Sequence, residues 1–186
     1  MCIRDSSEAS HAISHPSTQV ETPYPFVSSP EQTFQAEFLQ RGCLSAGPSA
    51  AIMRRDRFTE VGGYREVGVM SDIDLWYRMS AKWQTVFLPP ALCWWRQHED
   101  QASNDSSANL DYIQGEFRIT MDAMNKETCP LKEPDRQSAI YRKKQHLARR
   151  LVKLGTRQRQ PFLARRLARE AGLSFSELLG GLRRYQ

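Results

Sequence analysis

Ser71-Asp72-Ile73-Asp74-Leu75-Trp76-Tyr77-Arg78-Met79-Ser80-Ala81-Lys82-Trp83 is the stretch from which the fold is read. Leu75, Trp76, Met79 and Trp83 recur at helical spacing, so the segment predicts a helix with one apolar face. Ser71 or Asp72 can cap its start by accepting a hydrogen bond from a first-turn amide. Asp74 adds negative charge where the helix dipole is positive. A helix points side chains two residues apart in different directions, which separates Asp72 from Asp74. Asp74 stands four residues before Arg78, the spacing of an intrahelical ion pair.

Working outward, Gln84 to Leu88 reads as a strand ended by Pro89-Pro90, and Ala91 to Arg96 as another. A polar loop, 98–107, leads to a helix over about 108–125. On the N-terminal side, Gly62-Gly63 closes a short helix over 54–61, because glycine accepts the left-handed conformation common just past a helix. Gly47-Pro48-Ser49 opens an apolar run, Ala50 to Met53, that reads as a buried strand. Phe34 and Phe38 are four apart and mark a helix over 31–40. Residues 1–30 are rich in Ser, Thr, Pro and His, lack periodic apolar residues, and read as disordered. After Pro130 and Pro134, leucines at helical spacing predict two or three short helices: one ending at Gly155, one over 162–171 and one over 174–185.

The chain has 186 residues, enough for one domain with an appendage. No apolar run approaches the roughly 20 residues that span a bilayer, and the start lacks the apolar core of a signal peptide. Both features fit an intracellular protein. Cys2, Cys43, Cys93 and Cys129 are scattered, with no CxxC spacing, and suggest neither a zinc site nor a disulfide framework. Net charge is unevenly spread. Residues 1–131 carry 11 Lys/Arg against 17 Asp/Glu, and residues 132–186 carry 15 against 4. The tail is therefore the basic part, which points to an anionic partner for it.

Three segments occur in a telling order. The first runs from Gly47 to Tyr64: a small-residue turn, an apolar run, Arg54-Arg55, then Val61-Gly62-Gly63-Tyr64. The second is Ser71-Asp72-Ile73-Asp74-Leu75-Trp76-Tyr77-Arg78. The third is Phe87-Leu88-Pro89 continuing to Trp95-Arg96-Gln97-His98, with Gln101 and Ser103 after it. This succession, over roughly residues 34–105, resembles the acceptor-side half of family 2 glycosyltransferases. The resemblance implies an α/β fold: part of a GT-A, Rossmann-like domain without its N-terminal nucleotide-binding half, occupying 31–128, followed by a small helical basic tail, 129–186. It departs from the family at Ser71, where Glu is common. It also lacks an upstream Asp-x-Asp motif; Asp72-x-Asp74 has that spelling but occupies the later acidic position. The chain is accordingly expected to be a fragment, inactive alone.

The same resemblance implies inverting transfer of a sugar from a nucleotide-sugar donor to the hydroxyl of a glycan or lipid-linked acceptor, in polysaccharide or glycolipid biosynthesis. The acceptor oxygen must lose a proton as it attacks, and a carboxylate within hydrogen-bond reach can take it. Asp72 fills that place by resemblance, where otherwise it would only cap a helix. Asp74 either contacts substrate or holds Arg78. Trp76 either stacks on a sugar or packs in the core. Arg96 either orients phosphate or braces its loop. His98 is the implied metal ligand, to a divalent ion that neutralises the leaving diphosphate. Imidazole suits Mn2+ better than Mg2+, and the other ligands are expected in the nucleotide-binding half.

The tail sets Arg142-Lys143-Lys144, Arg149-Arg150, Arg165-Arg166 and Arg183-Arg184 among leucines. It reads either as a solvated helix face or as a surface for acidic lipids. Peripheral contact at the inner face of the membrane follows from the latter. No recognised nucleic-acid module accompanies the charge, which argues against nucleic acid. A non-catalytic module that binds lipid or protein through the tail is the alternative to a transferase.

Overall fold

A computed structural model describes residues 25–45, 47–89 and 106–180, together with 2–3 and 13–14. Among the described residues there are four short strands: β1 (Cys2–Ile3), β2 (Ile13–Ser14), β3 (Phe26–Ser28) and β4 (Thr85–Phe87). Seven helices accompany them: α1 (Pro30–Leu39), α2 (Arg55–Glu60), α3 (Ser71–Ser80), α4 (Ser106–Asn125), α5 (Glu133–Thr156), α6 (Pro161–Glu170) and α7 (Phe175–Gly180). Among the described residues the sheets are two antiparallel pairs, β1 with β2 and β3 with β4. The described residues are thus α-rich, and their strands do not by themselves make up a clear Rossmann-like α/β sheet. Helices hold most of the buried apolar side chains, and each sheet is too small to form a layer of its own.

The ends of several helices follow from local chemistry. Ser29 caps α1 by accepting from the Gln32 amide at 3.2 Å, and Gln32 Oε1 accepts from the Ser29 amide at 3.0 Å. Ser174 and Glu177 make the same reciprocal box at α7, with distances of 3.2 and 2.7 Å. Helix α5 runs through Gly155 to Thr156, one residue past the expected stop. A Cβ at Gly155 would meet Ala164 Cβ at 3.5 Å, an ordinary van der Waals contact, so α5 packs on α6 there without requiring glycine.

Two expectations fail for the same physical reason. Ala50–Met53 does not form a strand: a 3-10 turn occupies Pro48–Ala50, and 51–54 is unpaired chain with Ile52 94% exposed. Conversely, the segment expected to be disordered up to residue 30 contains β3. Phe26, Val27 and Ser28 pair in register with Phe87, Val86 and Thr85, and the Phe26 and Phe87 rings stack at 4.9 Å. A strand is made by its partner, and here the partner is some sixty residues away. The same N-terminal segment also contributes the β1–β2 pair. The strand expected over 91–96 lies outside the described residues.

Three clusters hold the helices together. Leu44, Met70, Leu75, Trp76, Tyr77 and Ile119 pack around α3. Phe117, Leu147, Leu151, Leu154, Leu167 and Ala168 join α4, α5 and α6. Phe34, Met124, Leu131 and Ala139 join α1, α4 and α5. Side chains on both sides of the expected boundary at 128/129 thus share one core. Full burial of a side chain such as Phe34 or Leu75 is worth about 1.5–3 kcal/mol. Gln35 reaches Asp135 at 2.9 Å, and an Arg142 guanidinium N–H donates to the Leu39 carbonyl, which reinforces the α1–α5 contact. Among the described residues no helix is long and apolar enough to cross a membrane.

Candidate functional site at the start of α3

The approach to α3 is a 3-10 turn, Gly68–Met70, packed against α4. Gly115 permits that contact, because a Cβ there would come within 3.1 Å of Met70 Cγ. Met70, not Ser71 or Asp72, occupies the cap position, and no side chain caps the helix. The expected cap is absent because Ser71 is engaged elsewhere. Its Oγ lies 2.8 Å from both the Arg65 and the Gly68 carbonyl oxygens, and its one proton is shared between them. The serine therefore closes the loop that delivers α3.

The two carboxylates of Asp72-Ile73-Asp74 have separate surroundings. Asp74 is 4% exposed and sits 2.8 Å from Arg78, the pair that the spacing predicts. The Arg78 guanidinium also donates to the Val61 carbonyl at 2.6 Å and to the Gly63 carbonyl at 2.7 Å. One arginine thereby fastens α3 to the Gly62-Gly63 turn. That turn needs glycine at Gly63 (φ 64°), where a Cβ would also approach the Phe58 ring to 3.1 Å. Asp72 is only half-buried, and Oδ1 accepts from the Ile73 amide at 2.8 Å. Among the described residues it has no ion-pair partner.

Trp76 is buried, 8% exposed, in the apolar cluster around α3. Its ring packs in the core, and the described structure leaves it no open face for a sugar. A cavity of about 20 Å³ behind α3 is lined by Phe34, Asp74, Tyr77 and Arg78. That is room for one water. Arg96 and His98 lie outside the described residues. Among the described residues no three His, Cys, Asp or Glu side chains converge as a metal site.

Two further carboxylates, Glu37 on α1 and Glu116 on α4, tie neighbouring elements together. Glu37 Oε1 accepts from the Tyr77 hydroxyl at 3.0 Å, while Oε2 accepts from the Cys43 and Leu44 amides at 2.6 and 2.9 Å. Burial first, and then Glu37, push the Tyr77 hydroxyl well above its usual pKa. The available signal was a charged residue three positions after Phe34, on the apolar face of α1. Glu116 on α4 holds Lys143 and stands 3.7 Å from Arg150. Tyr112, one turn before Glu116, has its pKa raised by partial burial and then by Glu116, with the Asp72 carboxylate contributing.

The same network makes a test of local burial. Cys43 is pushed up to about 12 by burial and then by the adjacent Glu37. Only the thiolate alkylates. Relative to an ordinary thiol near 8.5, the thiolate fraction at pH 8 falls by roughly a thousandfold. Iodoacetamide labelling resolved by peptide mass spectrometry is expected to modify Cys43 at least about a hundredfold more slowly in the native chain than in urea. Rates within a factor of ten of each other would mean that Cys43 is not enclosed as described.

Comparison with known protein families, with curated proteins and with solved structures gives no match.

Proposed function

We propose that this chain is the acceptor-side part of an inverting glycosyltransferase of the family 2 type, with Asp72 as the general base. The order of motifs over residues 34–105 supports the family reading. The observation that carries the assignment of the base is the separate fate of the two carboxylates. Asp74 is consumed by Arg78, whereas Asp72 is half-exposed on the first turn of α3 and has no cation bound to it among the described residues. In this reading the acceptor oxygen attacks the anomeric carbon, Asp72 takes the hydroxyl proton, and the bond to the nucleoside diphosphate breaks. Arg78 acts on position: by tying α3 to the Gly62-Gly63 turn, it fixes where Asp72 stands. Asp74 serves that clamp, and Trp76 anchors the helix from the core side.

The finer fold reading belongs to the same proposal. Val27 and Val86, a cross-strand pair of the β3–β4 sheet, are both exposed, and Ile52 is exposed as well. Apolar surface of this kind suits coverage by a further half-domain, here the nucleotide-binding half of a GT-A fold. His98 is the residue assigned to the divalent ion, and the donor's diphosphate would bind mainly in the other half.

The test is to sequence the transcript and the genomic region upstream of the codon for Pro30, and then to assay the protein so defined. An in-frame extension carrying an Asp-x-Asp motif, and release of nucleoside diphosphate from a panel of sugar nucleotides in the presence of lipid-linked or glycan acceptors, are expected. A genuine start near Met1, or an extended protein that neither binds nor turns over any sugar nucleotide, would overturn the reading and leave the non-catalytic binding module.

A further inference from the structure

The fold divides the basic residues of the C-terminal region into two sets. One set is used internally. Lys143 and Arg150 face Glu116, Lys144 binds Glu177, Arg136 pairs with Glu133, and Arg142 donates to the Leu39 carbonyl. The second set comprises Lys153, Arg157, Arg159, Arg165 and Arg169. All five are exposed, and among the described residues none makes an ion pair or a side-chain hydrogen bond. They cluster in sequence and structure at the α5–α6 corner and along α6.

Helix α6 then separates its faces sharply. Leu163, Leu167, Ala168 and Ala171 pack against α4 and α5. At about 100° per residue, Phe162, Arg165, Arg166 and Arg169 share the opposite arc. Phe162 is 89% exposed, an apolar ring standing among arginines. Arg159 lies between the two helices with φ 56°, a left-handed conformation of the kind that commonly ends helices. Next to it the Gln160 amide donates back to the Leu154 carbonyl at 3.2 Å, so the corner that carries these cations is a closed helix end.

We infer that the outer face of α6 and the α5–α6 corner form a docking surface for an anionic lipid bilayer, with Phe162 entering the headgroup layer and the five unpaired cations facing acidic lipids. Charge complementarity supplies the attraction, and a lone exposed ring set among cationic side chains suits the interface between headgroups and acyl chains. A single-stranded nucleic acid would favour several aromatic rings as a stacking platform, and Phe162 is the one aromatic residue of α6. The inference does not rest on the transferase reading. A chain with no transferase activity would still bind vesicles, and an active transferase that ignored them would overturn this proposal alone.

The experiment is co-sedimentation of the full chain with vesicles of phosphatidylcholine alone and with a third of the lipid replaced by phosphatidylglycerol. Binding is expected only to the second kind, and it should weaken with salt. At about a fivefold contribution per basic residue near the surface, Arg165→Gln with Arg169→Gln should weaken binding roughly twentyfold. Phe162→Ser, which leaves the charge unchanged, should weaken it about tenfold. Arg41→Gln with Arg55→Gln makes the same charge change on exposed residues elsewhere and should leave binding intact. All these positions are exposed, and thermal unfolding by circular dichroism checks that each variant is folded. Equal binding to neutral vesicles, equal loss in the control pair, or binding to single-stranded RNA without binding to vesicles would each overturn the proposal.

Discussion

Asp72→Asn, made in the extended protein that carries the nucleotide-binding half, is expected to lower kcat for glycosyl transfer by about two to four orders of magnitude, the usual worth of a positioned general base. The substitution keeps the shape of the side chain and its ability to accept from the Ile73 amide. It removes the negative charge and with it the capacity to take a proton. Donor KM should therefore hold, because the nucleotide contacts lie elsewhere, and thermal stability should hold, because Asp72 is half-buried without an ion-pair partner among the described residues. A rate within about threefold of the parent would show that Asp72 is a helix-start residue and nothing more, since a tenfold effect already needs only about 1.4 kcal/mol. Asp74→Asn discriminates the two carboxylates in the same assay. It should cost stability first, and activity only through the loosened helix, because Asp74 is buried against Arg78.

Much of this site was legible because its determinants are local. The recurrence of Leu75, Trp76 and Met79 marked α3, and the four-residue step from Asp74 to Arg78 marked the ion pair, both of which are present. The Gly62-Gly63 stop and the helix before it were legible for the same reason. What could not be read depends on how the chain turns in three dimensions. Ser71 lies only three and six residues from the Gly68 and Arg65 carbonyls, yet composition does not say that the loop bends so that the hydroxyl bonds back to them and abandons the cap. Glu37 looks like a surface charge until Tyr77, forty residues on, donates to it. The apolar run at Ala50–Met53 pairs with no strand while Phe26–Ser28 does, and a short run carries no sign of whether a partner strand exists. In the tail, composition gave the total charge but not its division. Which cations are spent inside the protein follows only from where Glu116 and Glu177 fall.

Arg78→Met is expected to destabilise the chain by about 3–5 kcal/mol, the usual cost of removing one member of a buried ion pair. Against total stabilities of about 5–15 kcal/mol for a domain, that is a large share. Methionine fills much of the same volume, so the loss is electrostatic more than steric. Asp74 would keep its charge at 4% exposure with Arg65, 3.8 Å away and itself partly exposed, as its remaining cation. The Val61 and Gly63 carbonyls would lose their donor at the same time. Adding Asp74→Leu to Arg78→Met removes the orphaned charge and should restore part of the loss, since apolar replacement of a whole buried pair is often neutral. Restoration should be incomplete, because two turn carbonyls still lack a partner. Urea unfolding of the parent, both single variants and the double gives the coupling energy directly. A loss below about 1 kcal/mol for Arg78→Met, the range of an exposed surface pair, would mean that the clamp between α3 and the Gly62-Gly63 turn does not hold Asp72 in place, and the positioning argument for the base would go with it.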